Sequence, residues 1–365
     1  MSRKLKIFFI LLIAVFVIRG SVDAAVSAPA PSTDTIANEE AKSFNIRDII
    51  LEHLTDAYDW HITVVDGKPV SIPLPVIVYS KTTGWHIFMS SALHGGKEYK
   101  GFVIAEEGKY KSKIVEINEK GEHIKPFDIS ITKNVFSLLF SSTLLIFIIM
   151  YVANSYRKNG FAPKKGFVAA MEMFIMNIND DVIKPSIGKE YRHYAPYLLT
   201  LFFFIFINNL LGLIPIFPGG ANVTGNIAIT FVLAVCTFLI VNLKGSKEYW
   251  KEILWPDIPM WLKFPVPLLP VIELVGIISK PFALMIRLFA NMLAGHSIGL
   301  GLTALIFVTV SKGIVMNTSM TILSVVFSVF IGFVELLVAF IQAYIFTMLS
   351  AVFIGLARVE PHQKH

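Results

Sequence analysis

Two apolar stretches near the end of the chain, Ile272–Val310 and Met320–Leu356, constrain the fold more than any other feature. As helices rising about 1.5 Å per residue, each would reach about 55 Å, against a hydrocarbon core of about 30 Å. A straight helix of that length would need a tilt above about 50°, outside the usual range of about 0–40°. Pro281, Gly295, Gly299 and Gly301 supply places to bend. The expectation is two steeply inclined or curved helices, antiparallel and joined near Lys312–Ser319.

The first of these stretches carries a charge in its middle. Within SKPFALMIRLFANMLAGHSIG (Ser279–Gly299), Arg287 stands between Phe282–Ile286 and Leu288–Ala290. An arginine at mid-bilayer costs about 2.5–3.5 kcal/mol on insertion scales. It cannot lower that cost by neutralising, because guanidinium stays protonated in proteins. Snorkelling or a structural ion pair is the bland reading of such a residue. Its neighbours point elsewhere. At about 100° per residue, Glu273, Lys280 and Arg287 fall on nearly one line, and Asn291 extends that face. A line of ionisable and amide groups entering an apolar helix has the form of an ion path. His296 lies on roughly the opposite side. In the second stretch Glu335 and Gln342 share a face at the same seven-residue spacing. Pairing about residue 315 matches His296 with Glu335 and Arg287 with Gln342, so two distant motifs meet at common depths.

At these residues a resemblance becomes specific. Glu273, Lys280-Pro281, Arg287-Leu288-Phe289-Ala290-Asn291-Met292 and Ala294-Gly295-His296 resemble the signature of subunit a of F-type ATP synthases. Glu335 with Gln342-Ala343-Tyr344-Ile345-Phe346, and Asn208-Asn209-Leu210-Leu211-Gly212-Leu213-Ile214-Pro215, resemble two further motifs of that family in the required order. The likeness covers roughly Lys133–Arg358. It implies a membrane stator that passes protons to and from a rotating c-ring, with peripheral-stalk b subunits as further partners. It also implies a helical hairpin wrapping the ring obliquely. Arg287 would favour the ionised ring carboxylate, by about 4 kcal/mol at about 4 Å and an effective dielectric of about 20. Because it keeps its own proton, it would also block a direct leak between entry and exit paths. His296, Glu335, Asn291 and Gln342 would line the outer half-channel, and Glu273 is a candidate for the inner one. An interfacial acid paired with Lys280 or Lys263 is an equal reading of Glu273. Some members of that family carry an acid where Gly212 stands here, so a relay through that position is absent.

The remainder of the chain divides by composition. Of 365 residues, 55% are hydrophobic, which requires a polytopic membrane protein with a smaller soluble part. Cys236 is the single cysteine and lies in an apolar run, so no intramolecular disulfide forms. Residues 1–24 have the form of a signal peptide: Arg3, Lys4 and Lys6, then the apolar core Ile7–Ile18, then Val22-Asp23-Ala24. An uncleaved anchor is the alternative, and either one exports the next part of the chain. Residues 25–43 are an Ala-, Pro-, Ser- and Thr-rich linker. Residues 44–128 are expected to form a small β-rich exported domain, with strands at Ile62–Val65, Val76–Tyr79, His86–Met89, Phe102–Ala105 and Ile114–Ile117. Turns are expected at Asp66-Gly67, Gly95-Gly96 and Gly121. Its histidines lack a supporting ligand cluster, so no metal is expected, and no cofactor.

The membrane part, residues 133–358, opens with the span Asn134–Ala153. Phe167, Val168, Met171, Phe174, Ile175, Ile178 and Val182 then recur at helical spacing, an amphipathic helix suited to the membrane surface. A buried core helix has the same pattern; its place between two spans favours the surface. Tyr194–Pro215 and Asn226–Leu243 are further spans, making five transmembrane helices with the final pair. Lysine and arginine concentrate in 154–193, 244–263 and after 357, whereas the opposite short loops hold only Lys312. The positive-inside rule makes the rich segments, and the tail 359–365, cytoplasmic. The expected setting is a bacterial inner membrane, with the N-terminal domain periplasmic. The net charge of +6 thus reports topology rather than nucleic acid. No G-x-x-x-x-G-K-[ST] loop is present, so this chain should bind no nucleotide and catalyse no ATP chemistry. An ion-coupled secondary transporter is the alternative, though the repeated halves of such proteins are not visible. A membrane-anchored adhesion or assembly protein is a third class.

Overall fold

The computed structural model describes residues 55–65, 68–105, 110–117, 123–160, 163, 165–214, 217–254 and 268–358. The expected signal peptide, linker, residues 44–54, the turns at Asp66-Gly67 and Gly121, Lys263 and the tail 359–365 lie outside these. The chain falls into two compact units. The first comprises residues up to Phe140 with Ile214–Ala221 and His296–Phe333; the second comprises Ser141–Leu213, Asn222–Gly295 and residues from Val334 onward.

In the first unit, β1 (Asp59–Val65) pairs antiparallel with β2 (Lys68–Pro73). A three-stranded sheet has the order β4-β3-β8, from β3 (Pro75–Ser80), β4 (Gly84–Met89) and β8 (Phe127–Asp128). A second has the order β5-β6-β7, from β5 (Phe102–Ile104), β6 (Ile114–Ile117) and β7 (His123–Ile124). Alternation sets what each strand buries. On β3, Val76, Val78 and Ser80 point inward. Val76 and Val78 join a core of Tyr58, Phe88, Leu93, Phe102 and Ile114. Every strand expected from composition is present. β2 is an addition to them: Pro69 and Pro73 argue against a strand, but Pro73 is its last residue and Pro69 its second, and it pairs with β1 alone, as an edge strand can.

This domain is clamped to the first membrane helix, α1 (Lys133–Asn159), rather than tethered to it. Thr132 caps α1, its Oγ1 accepting from Val135 N–H at 3.4 Å. Asp56 Oδ1 accepts from Asn134 N–H at 3.0 Å, and Ala57 C=O from Lys133 N–H at 2.9 Å. A carboxylate at a helix N-terminus also complements the helix dipole. Trp60, buried, packs edge-on against Phe136 and Phe217, with ring centroids 5.9 and 5.2 Å away. Tyr58 OH donates to Asp128 Oδ2 at 2.5 Å. Burial, then that bond and charge, push the Tyr58 phenol above its usual range.

The same unit holds the turn between α6 (Leu268–Thr309) and α7 (Ile314–Leu356). Val310–Lys312 form a 3₁₀ turn, and Gly313 reverses the chain at φ +100°. The connection is therefore shorter than Lys312–Ser319. Asn317, Thr318 and Ser319 have loop chemistry but lie inside α7, where Asn317 Oδ1 accepts from Thr309 Oγ1 at 3.0 Å. One glycine and one side-chain bond replace the expected loop.

In the second unit, α2 (Phe167–Asn177) continues through a π-helical turn, Ile178–Ile183, and an α turn, Lys184–Ile187. Gly188, at φ +75°, breaks that run before α3 (Tyr191–Leu213). Asn226 caps α4 (Ile227–Lys244), and α5 is Lys247–Leu254. The core joins Ile178, Val182 and Ile183 to Leu198, Phe202 and Ile205 of α3, Leu284 and Leu288 of α6, and Phe346 and Ile354 of α7. At one end Arg358 bonds Glu190 through Nε (2.8 Å) and Nη2, and Lys244 C=O through Nη1 (3.1 Å). Among the described residues, five helices are long and apolar enough to cross a membrane.

Candidate functional site

On α6 the chain buries Leu284, Met285, Leu288 and Met292 and leaves Glu273, Lys280, Arg287 and Asn291 exposed. The exposed face is otherwise apolar or small: Ile278, Phe282 and Ile286 flank the polar line, and Gly276, Ala283 and Ala290 run beside it at seven-residue spacing. Lys280 Nζ lies 5.9 Å from the Phe353 ring centroid, a cation–π distance. Among the described residues, no carboxylate stands within ion-pair distance of Arg287. Glu273 acts on α5, where burial and then its charge push the Tyr249 phenol upward.

The other expected site residues are buried: His296 is 7% exposed, Glu335 8% and Gln342 6%. A Cβ at Gly295 would lie 3.1 Å from Glu335 Oε1, so the carboxylate rests against the α6 backbone beside a missing side chain. That contact and the Lys280–Phe353 contact pair α6 with α7 about a common midpoint near residue 315. At the level of this hairpin that Arg287 and Gln342 share, Arg287 is exposed and Gln342 is buried.

A buried amide network completes the polar set. Asn209 Nδ2 donates to Ala339 C=O at 3.2 Å, one helical turn beyond Glu335, and Asn209 Oδ1 accepts from Thr224 Oγ1 at 2.6 Å. Asn208 Oδ1 accepts from Ser141 Oγ at 2.9 Å, and its Nδ2 donates to Phe204 C=O at 2.8 Å. In the sequence, Asn208 and Asn209 stand out only through the family motif. Ser141 and Thr224 do not stand out at all: Ser141 is one of three adjacent hydroxyls, Ser141-Ser142-Thr143, and Thr224 sits in the polar connection before α4.

Comparison with known proteins addresses what such a chain is. The model of the family described as "ATP synthase A chain" matches residues 135–355. The chain belongs to this family. Residues 49–134 match a separate family described only as a domain of unknown function. The chain is 39% identical over 309 residues to "ATP synthase subunit a" of Chlorobium phaeobacteroides strain DSM 266, covering 80% of this chain and 85% of that one. It is 41% identical over 246 residues to the protein of the same name from Chloroherpeton thalassium, covering 66% and 69%. It is 37% identical over 257 residues to that from Myxococcus xanthus, covering 67% and 80%. The first alignment is longer than the span 135–355, so that relative shares more with this chain than the membrane part alone. With five long apolar helices, this A-chain member is a multi-pass membrane protein.

Proposed function

We propose that this chain is the ion-translocating, non-catalytic stator of a rotary ATP synthase, passing protons to and from a carboxylate on the c-ring. The observation that carries the reading is Arg287, a permanent charge exposed on a polar line that apolar and small residues flank. Lipid is a costly neighbour for a guanidinium, whereas a passing carboxylate is a favourable one. Gly276, Ala283 and Ala290 beside it would let another helix approach closely. Arg287 drives release of the ring proton and, keeping its own, separates the two half-channels. The outer half-channel runs by His296, Glu335, Asn291 and Gln342; Glu273 serves the inner one. The buried amides Asn208 and Asn209 support the outer path by holding α3 in place.

In this reading α6 and α7 lie obliquely against the ring and α2 lies at the membrane surface. Residues 133–358 form the translocating part, with the C-terminus cytoplasmic. After a signal peptide, residues 44–128 are periplasmic, at a bacterial inner membrane. The b subunits of the peripheral stalk are the remaining partners. Purification in mild detergent tests this. The chain should bring with it a carboxylate-bearing ring and ATPase subunits, and the reconstituted complex should pump protons on ATP. Recovery of a solitary chain that carries a solute would favour a transporter instead.

A further inference from the structure

The sheet β4-β3-β8 buries one face in its domain and leaves the other apolar and uncovered. Trp85, Tyr79 and Phe127 form one row across it, since Tyr79 pairs with both others. Ile87, Ile77 and Ile129 form the next: Ile77 pairs with Ile87, and Ile129 N–H donates to Ile77 C=O at 3.0 Å. Trp85 is 59% exposed, Phe127 63% and Ile87 69%. Apolar side chains this open, side by side on one sheet, mark an interaction surface.

We infer that this face seats in the headgroup layer of the leaflet where α1 begins. Three observations select lipid as the occupant. The strand pairing continues to Ile131, whose N–H donates to Pro75 C=O at 3.1 Å, and only Thr132 separates it from α1. Exposed apolar residues continue across that junction, from Phe127 and Ile129 to Val135 and Leu139 of α1, the lipid-facing surface of a membrane helix. Phe127 is six residues from Lys133, a reach of at most about 20 Å. Asp56, Ala57 and Trp60 hold the domain on the helix end, so this distance is fixed by packing.

The third observation is chemical. Beside the aromatic row opens a cleft of about 1050 Å³ that Lys81, Lys100 and Lys125 line. Among the described residues that line it, Glu116 is the one carboxylate, and it already accepts from Ser80 Oγ at 2.7 Å and Thr82 Oγ1 at 2.6 Å. Tryptophan and tyrosine beside lysines is the composition of a bilayer interface, and the ammonium groups suit anionic headgroups.

The test is site-directed nitroxide labelling of the full-length chain. Cys236, the only cysteine, is changed to serine. Labels are placed singly at Trp85→Cys and Phe127→Cys, with Leu139→Cys and Lys111→Cys as lipid and water controls. The chain is reconstituted in phosphatidylcholine discs with and without phosphatidylglycerol. Oxygen accessibility well above that at Lys111, and nickel-chelate accessibility well below it, is expected at both sites. Both differences should be larger with phosphatidylglycerol and smaller after Lys81→Glu with Lys125→Glu. Labels as water-accessible as Lys111 would overturn the proposal. So would labels shielded from both probes, which would place a protein on this face. A bilayer signal at Leu139 shows that α1 is inserted, so a negative result is not a failure of insertion. The inference needs α1 to cross the membrane but not the proton path, so each can fail without the other.

Discussion

The polar residues of the membrane part fall into two sets with opposite surroundings. Asn208, Asn209, Thr224, Glu335 and Gln342 are buried, and the two asparagines and Thr224 have hydrogen-bond partners on neighbouring segments. Glu273, Lys280, Arg287 and Asn291 lie along one exposed line of α6. A buried amide in a helix bundle is explained by its partner inside the chain. The exposed guanidinium of Arg287 has no carboxylate within ion-pair distance among the described residues. The first set therefore tests what holds this protein together, and the second tests what it works against.

The largest effect is expected on the exposed line. Arg287→Lys should abolish coupled ATP synthesis in inverted vesicles while leaving the complex assembled, because an ammonium can lose its proton where a guanidinium does not. Wild-type synthesis by an assembled mutant would remove Arg287 from the mechanism. On the buried side, His296→Glu and Glu335→His should each slow proton uptake, by placing two acids or two imidazoles on the path. The double exchange restores one of each and should recover part of the rate if the two groups titrate together. Uptake followed across a pH series for all four proteins decides it. Strictly additive losses would mean that the residues act separately.

Legibility in the sequence divides along the same line. The five long helices and the β-rich N-terminal part are written in hydropathy and β-branched runs, which are local signals. The hairpin register is also readable, since heptad-spaced Glu335 and Gln342 count back from the turn to Gly295-His296 and Arg287. What the pattern cannot show is which polar groups turn inward. Glu335 and Arg287 look alike in sequence, as single ionisable groups in apolar helices. The difference depends on α3, whose Asn209 reaches the α7 backbone at Ala339. The connection after α6 reads as too long because Asn317, Thr318 and Ser319 have turn chemistry, and only the bond from Thr309 shows why a helix accepts them.

A smaller effect is expected when the buried set loses one partner. Asn209→Leu removes the bond to Ala339 C=O and leaves the Thr224 hydroxyl without its acceptor. In water-soluble proteins such a loss costs about 1–3 kcal/mol, but interhelical bonds in membranes average nearer about 0.6. A destabilisation of about 1 kcal/mol is expected in detergent unfolding. Thr224→Val should cost little more once Asn209 is already Leu. Full additivity of the two would show that they are not one network.

The smallest effects come from adding one methyl group on either side of α6, and they separate the two surroundings most directly. Gly295 and Gly276 lie on the same helix, and alanine is favoured over glycine there by about 1 kcal/mol. At Gly295 the new Cβ would sit 3.1 Å from Glu335 Oε1 and 3.3 Å from its Cγ, so the carboxylate must shift by a few tenths of an ångström. Moving a side chain off its preferred rotamer costs about 0.5–1.5 kcal/mol, which would slow a step through it by about twofold to tenfold. Gly295→Ala should therefore leave stability nearly unchanged and slow proton uptake within that range. At Gly276 an added Cβ meets nothing within 4 Å among the described residues. Gly276→Ala should thus stabilise the isolated subunit, because the helix gains and nothing is displaced. If a ring packs closely against the exposed line, the same methyl should weaken assembly of the complex or slow its turnover. Detergent unfolding of the free subunit and ATP-driven pumping by the complex read the two effects separately. A Gly276→Ala complex that assembles and pumps as well as the parent would show that the partner keeps its distance at this level of α6.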